Sequence, residues 1–145
     1  MHKILNKLVI VLADDDIDDI QIFEDAIGAV IEYYEFHFFK NGIELINYLS
    51  NPQHNQPDIL FLDLNMPLMG GFEALRIIRE ELHLAGMIAM YTTSSQEQHV
   101  SRAFSGGANL FVTKPRDFSK LKNLLHKILI GTIEFGGAVP YVRSG

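Results

Sequence analysis

The chain has 145 residues, a net charge of −6 and an isoelectric point near 5.4, so one domain is expected and a basic nucleic-acid surface is not. Hydrophobic residues make up 48%, enough for a packed core, and the absence of cysteine excludes disulfides and thiolate metal sites. The apolar runs near the start fall far short of the roughly 20 residues that span a bilayer, and Met1–Lys7 lacks a signal-peptide core, so a soluble cytoplasmic protein without a membrane partner is expected.

Leu8–Ala13 is a continuous apolar run that ends in acid, the pattern of a strand buried on both faces. Ile17, Ile20, Phe23, Ala26, Ile27 and Val30 then recur at three- and four-residue steps, as on an amphipathic helix. Asp16, Asp18 and Asp19 stand where that helix begins and read as residues favoured by its positive end. The aromatic stretch 34–39 alternates with Glu35 and His37 and predicts a second strand at a sheet edge. Asn41-Gly42 breaks it, and Ile43, Leu45, Ile46 and Leu49 suggest a short helix. After a loop, residues 59–62 form a third strand closed by Asp63.

Beyond Pro67 and the glycines 70 and 71, the stripe Phe72, Leu75, Ile78, Leu82 predicts another helix. Residues 87–91 make a fourth strand, and a weaker helix over 97–105 shows Val100, Ala103 and Phe104 as its apolar face. Residues 110–113 form a fifth strand, and Leu121, Leu124, Leu125, Ile128 and Leu129 mark a final helix. Five strands alternating with five helices predict an α/β fold, a doubly wound parallel sheet with helices on both faces. Residues 7–131 make up this domain; residues 132–145 read as a C-terminal tail too short for an output domain.

Ligands of open parallel sheets bind beyond the carboxyl ends of the strands. Those ends carry Asp14 and Asp15 (first strand), Asp63 (third), Thr92 (fourth) and Lys114 (fifth). Three close carboxylates repel one another by roughly several kcal/mol per pair at an effective dielectric near 20. One ammonium does not neutralise three carboxylates, and an all-oxygen cluster suits a hard cation such as Mg²⁺. A carboxylate is also a competent nucleophile toward phosphorus. Taken singly, each of these residues has a bland reading as a cap or surface group; their convergence on one rim does not. The six histidines show no metal-ligand spacing, and the aromatics 33–39 read as core and edge packing.

These residues resemble the receiver domain of two-component response regulators, the CheY-like family. The resemblance covers about residues 7–130: Val-Leu-Ala-Asp14-Asp15-Asp16, Leu-Phe-Leu-Asp63-Leu-Asn65-Met66-Pro67, Tyr91-Thr92-Thr93-Ser94 and Phe111-Val-Thr-Lys114-Pro115. It implies a flavodoxin-like five-stranded sheet in the order 2-1-3-4-5. It further implies phosphorylation of Asp63, with Mg²⁺ on Asp15, Asp63 and the Asn65 carbonyl and, through water, on Asp14. Lys114 and Thr92 would meet the phosphoryl oxygens. Thr92 and Phe111 would act as the switch, Asn65 and Ser94 would tune phosphoryl lifetime, and the Lys114–Pro115 bond would be cis. Thr93 stands where alanine is frequent. A histidine kinase or histidine phosphotransfer protein would be the donor, and a downstream protein the target. The Thr-Thr-Ser-Ser run and the segment after Gly131 resemble stand-alone receivers that partner cyanobacterial phytochromes, some of which form homodimers.

Three other readings compete. A haloacid-dehalogenase-type phosphatase needs a general-acid Asp two residues after its nucleophile, where this chain has Asn65. An FMN carrier needs a hydroxyl- and glycine-rich phosphate loop, where Asp14–Asp19 would repel phosphate. A pseudo-receiver that docks without phosphorylation would normally lack one of the key residues, and none is missing.

Overall fold

The computed structural model describes residues 7–135. Eleven elements follow one another along these residues: β1 (Leu8–Ala13), α1 (Ile17–Val30), β2 (Tyr34–Phe39), α2 (Gly42–Ser50), β3 (Ile59–Leu62), α3 (Gly71–Ile77), a π-helical turn (Ile78–Leu82), β4 (Met87–Thr92), α4 (Glu97–Ser105), β5 (Leu110–Thr113) and α5 (Phe118–Phe135). The strands form one parallel sheet in the order β2-β1-β3-β4-β5, with β2 at an edge as its composition predicts.

The two-residue period of β1 divides its side chains between two cores. Leu8, Ile10 and Leu12 point toward α1 and α5 and pack with Phe23, Phe61, Tyr91 and Ile128. Val11 and Ala13 point the other way, toward Leu45, Leu62, Leu75, Ile88, Met90 and Phe111 beneath α2, α3 and α4. Strands buried on both faces in this way explain the unbroken apolar runs of β1, β3 and β4.

Helix starts follow the local chemistry. Asp16 caps α1, its Oδ1 accepting from the amides of Asp18 (2.9 Å) and Asp19 (3.2 Å). Asn41 caps α2 reciprocally: Oδ1 accepts from the Glu44 amide and Nδ2 donates to the Glu44 carboxylate. The apolar stripe predicted to end at Leu82 does so through the wide π turn, which His83 closes in the left-handed region at φ 54°. Arg79 in this turn donates to the carbonyls of Leu84 (2.7 Å), Gly107 (2.9 Å) and Gly86 (3.2 Å) and to Asn109 Oδ1 (2.8 Å). It thereby ties the end of α3 to the start of β4 and to the turn before β5.

Helix α5 passes through Gly131 and continues to Phe135, with Thr132 buried and bonded to the Ile128 carbonyl. The tail predicted from residue 132 therefore begins as helix, and its remainder, 136–145, lies outside the described residues.

Candidate phosphoacceptor site

Register places the site. Ala13 pairs with Leu62 and Leu62 with Met90, so β1, β3 and β4 end at nearly one level. Asp14 and Asp63 are the next residues off β1 and β3, and the Asp63 amide donates to the Ala13 carbonyl at 3.0 Å. Thr92 pairs with Thr113, and the Lys114 amide donates to the Thr92 carbonyl at 2.7 Å. Four strands thus deliver the predicted side chains to one rim.

Side chains of Asp14, Asp15 and Asp63 each offer a carboxylate oxygen, and those oxygens lie within 4.8 Å of one another. Asp14 is fully buried, Asp63 is buried and Asp15 is exposed. An all-oxygen set with one open member fits a hard divalent cation that keeps part of its water shell. Asp14 Oδ1 accepts from the Asp16 amide at 3.0 Å, and Asp63 Oδ1 from the Asn65 amide at 3.3 Å. The Lys114 ammonium meets Asp14 at 2.7 Å and Asp63 at 2.9 Å. Burial pushes the Asp14 carboxyl up to about 6, against the opposing pull of Lys114. The carboxylates push Lys114 above its ordinary value although burial acts the other way.

One neighbour was not assigned to the site from sequence. Asp19, read there as part of a helix start, places Oδ2 2.9 Å from Lys114 Nζ. It lies in the first turn of α1, on the side that meets Lys114; only the helical period, with the strand order in hand, could have found it. Asp16, Asp18 and Asp19 all belong to the helix start, Asp16 as its cap and the other two in its first turn, and Asp19 reaches Lys114 as well.

Thr92 is fully buried, and its Oγ1 accepts from the Ser94 amide at 3.5 Å. The Ser94 hydroxyl lies 2.6 Å from His99 Nδ1, whose ring packs edge-on against Phe72. Asn65 and Thr93 are exposed at the mouth. Phe111 is fully buried between the sheet and α4. The expected cis bond is not found: no peptide bond among the described residues is cis, so Lys114–Pro115 is trans. The ladder bond to Thr92 and the carboxylate contacts fix the Lys114 loop instead.

Residues 10–126 match the model of the response regulator receiver domain. The chain belongs to that family. Receiver domains are signalling phosphoacceptors and not turnover enzymes, which sets the dehalogenase-type reading aside. Among curated relatives, the chain is 34% identical over 105 residues to the nitrate/nitrite response regulator protein NarL of Escherichia coli strain K12. That match covers 72% of this chain but 45% of the relative, so this receiver spans less than half of that regulator's length. The fold is shared with the phosphorylated cyanobacterial phytochrome response regulator RcpA (TM-score 0.80, 23% identity, 92% of this chain and 99% of that one). It is shared too with the Mn²⁺-bound form of response regulator Rcp1 (TM-score 0.76, 24% identity, 87% and 94%). No helix of the described residues is long and apolar enough to cross a membrane.

Proposed function

We propose that this receiver accepts a phosphoryl group on Asp63 from a histidine kinase or histidine phosphotransfer protein, and passes the signal to a downstream protein by a change of shape. The observation that carries the reading is the rim itself: Asp63 beside Asp14 and Asp15, with Lys114 bonded to the first two. A carboxylate oxygen of Asp63 would attack phosphorus, the phosphorus–nitrogen bond to the donor imidazole would break, and the nitrogen would take a proton. The product is an aspartyl phosphate. Asp14, Asp15, Asp63 and the Asn65 backbone carbonyl would hold Mg²⁺, whose charge would stabilise the negative oxygens of the group in transit. That Rcp1 has been seen with Mn²⁺ favours a divalent cation in this fold.

Lys114 would offer its ammonium to one phosphoryl oxygen and Thr92 its hydroxyl to another. Because Phe111 is already fully buried, we assign the signalling movement chiefly to Thr92 and the loop through Ser94, with Phe111 repacking inside the core. Asn65 and Ser94, at the mouth, would set how long the phosphate lasts; neither is a carboxylate or strong base that would activate water. A homodimer and a phytochrome-linked donor fit the likeness to RcpA and are proposed on that ground.

Incubation with acetyl phosphate and Mg²⁺, followed by intact mass, tests the reading. One added phosphoryl group, stable in acid and labile in base, is expected; no mass change in the presence of Mg²⁺ would leave the pseudo-receiver reading in its place.

A further inference from the structure

Lys114 Nζ has three hydrogens to donate, and three carboxylates take them. Asp14 Oδ2 is at 2.7 Å, Asp19 Oδ2 at 2.9 Å and Asp63 Oδ2 at 2.9 Å. No donor is left over for a phosphoryl oxygen. A phosphoryl group on Asp63 can therefore be met by this lysine only if one of the three bonds is released.

The three acceptors are not equivalent. Asp14 and Asp63 belong, with Asp15, to the carboxylates whose oxygens converge, and a cation or a phosphoryl group placed there would draw on their oxygens. Asp19 is outside that group, on α1, with about a third of its side chain exposed. Its bond to Lys114 is the one that neither ligand contests. The lysine side chain is only 10% exposed, so losing its carboxylates without replacement would strand a charge in a poorly solvated place. Beside it is a cavity of about 630 Å³, lined by Asp19, Tyr91, Thr93, Lys114, Pro115 and Phe118 among others. A lysine released on the acceptor side would swing into that space and toward water. The Tyr91 ring, with its centroid 5.4 Å from Nζ, lines it.

We propose that Asp19 is a positioning residue: it keeps hold of Lys114 while the bonds to Asp14 and Asp63 are exchanged, so that the ammonium turns to a phosphoryl oxygen on Asp63. This rests on the phosphoacceptor reading above and adds the tether to it. A purely through-space role for Asp19 leads elsewhere. Removing a negative charge would then ease the approach of an anionic donor, and the effect would not depend on Lys114.

The test is a double-mutant cycle between Asp19 and Lys114, read as the labelling rate with acetyl phosphate at saturating Mg²⁺. Asp19→Ala is expected to slow labelling about tenfold, and Asp19→Asn, whose amide oxygen still accepts from Nζ, to stay within about threefold of wild type. In a Lys114→Met background, which labels slowly but measurably, both Asp19 changes are expected to alter the rate less than about twofold. Calorimetric titration with Mg²⁺ alone is the second readout, and Asp19→Ala is expected to bind within about threefold of wild type. The tether is overturned if Asp19→Ala labels as fast as wild type, if its loss persists in the Lys114→Met background, or if it abolishes Mg²⁺ binding. A wild type that binds Mg²⁺ yet takes no phosphoryl group overturns the phosphoacceptor reading itself, and the tether with it.

Discussion

Asp14 and Lys114 stand a hundred positions apart in the chain, yet their side chains meet at 2.7 Å. They leave β1 and β5, strands separated in the sheet by β3 and β4, so the lysine reaches back across the rim. With Asp63 in the same grip, one ammonium joins the first, third and fifth strands at the point where phosphoryl chemistry would occur. Resting geometry and ligand-bound geometry compete for the same oxygens.

The first prediction concerns pH. Burial raises the Asp14 carboxyl from 3.8 to about 6, so the folded state holds that proton more tightly than the unfolded chain does. The group's stabilising contribution is complete below 3.8 and is lost as pH rises through about 6. Without metal, that contribution to the melting temperature should fall across this window, and Asp14→Asn should remove it. Protons and Mg²⁺ compete for the same carboxylate, so Mg²⁺ affinity should weaken below pH 6, by up to about tenfold per pH unit. Calorimetric titrations between pH 5 and 7.5 check this; an affinity flat with pH would contradict it.

The Arg79 clamp should matter for stability and little for chemistry. Replacing it with Ala leaves the carbonyls of Leu84 and Gly107 and the Asn109 side chain without that donor, at the opposite end of the strands from Asp63. A loss of about 2–3 kcal/mol is expected in urea unfolding, with labelling at Asp63 unchanged where the protein is folded. Arg79→Lys should recover only part of it, because an ammonium cannot span the fork of a guanidinium.

Gly71 supports the acceptor strand end directly. A Cβ there would overlap the Asp63 carbonyl oxygen and crowd the Leu64 Cα at 2.8 Å, both backbone atoms that cannot swing aside. Gly71→Ala should lower the melting temperature by several degrees, for a cost of about 1–3 kcal/mol, and slow labelling together with it. Gly28→Ala is the control: its nearest neighbour is the Tyr34 hydroxyl at 3.4 Å, and only a small change is expected.

His99 should govern the loop after β4. Its Nδ1 holds the Ser94 hydroxyl at 2.6 Å, and Ser94 in turn donates its amide to Thr92. His99→Ala should raise amide exchange at residues 94–97 by about tenfold while leaving the sheet amides protected. Unchanged exchange in that loop would show that helix geometry alone holds it.

Much of this is legible in the sequence alone. Runs such as Leu8–Ala13 and 59–62 read as doubly buried strands, and five strands between amphipathic helices, one of them an alternating edge strand, left little choice of fold. Residues at strand ends were legible because position along one strand is local information. Contacts across elements were not. Asp19 faces Lys114 only because α1 lies beside α5 and the strand order brings β5 near, so a local reading assigned it to the helix start. Arg79 and Asn109, thirty positions apart, share that origin. The trans Lys114–Pro115 bond shows the limit of a resemblance: a family habit is not a local physical requirement.

The central claim is that Asp63 is the residue phosphorylated, with metal held beside it. Wild type and Asp63→Asn should be incubated with acetyl phosphate, with Mg²⁺ and with chelator, and the product mapped by peptide mass after borohydride reduction. A single Mg²⁺-dependent modification at Asp63, absent from Asp63→Asn and suppressed by chelator, is the predicted result. Equal labelling of Asp63→Asn, or a rate indifferent to the chelator, would contradict it.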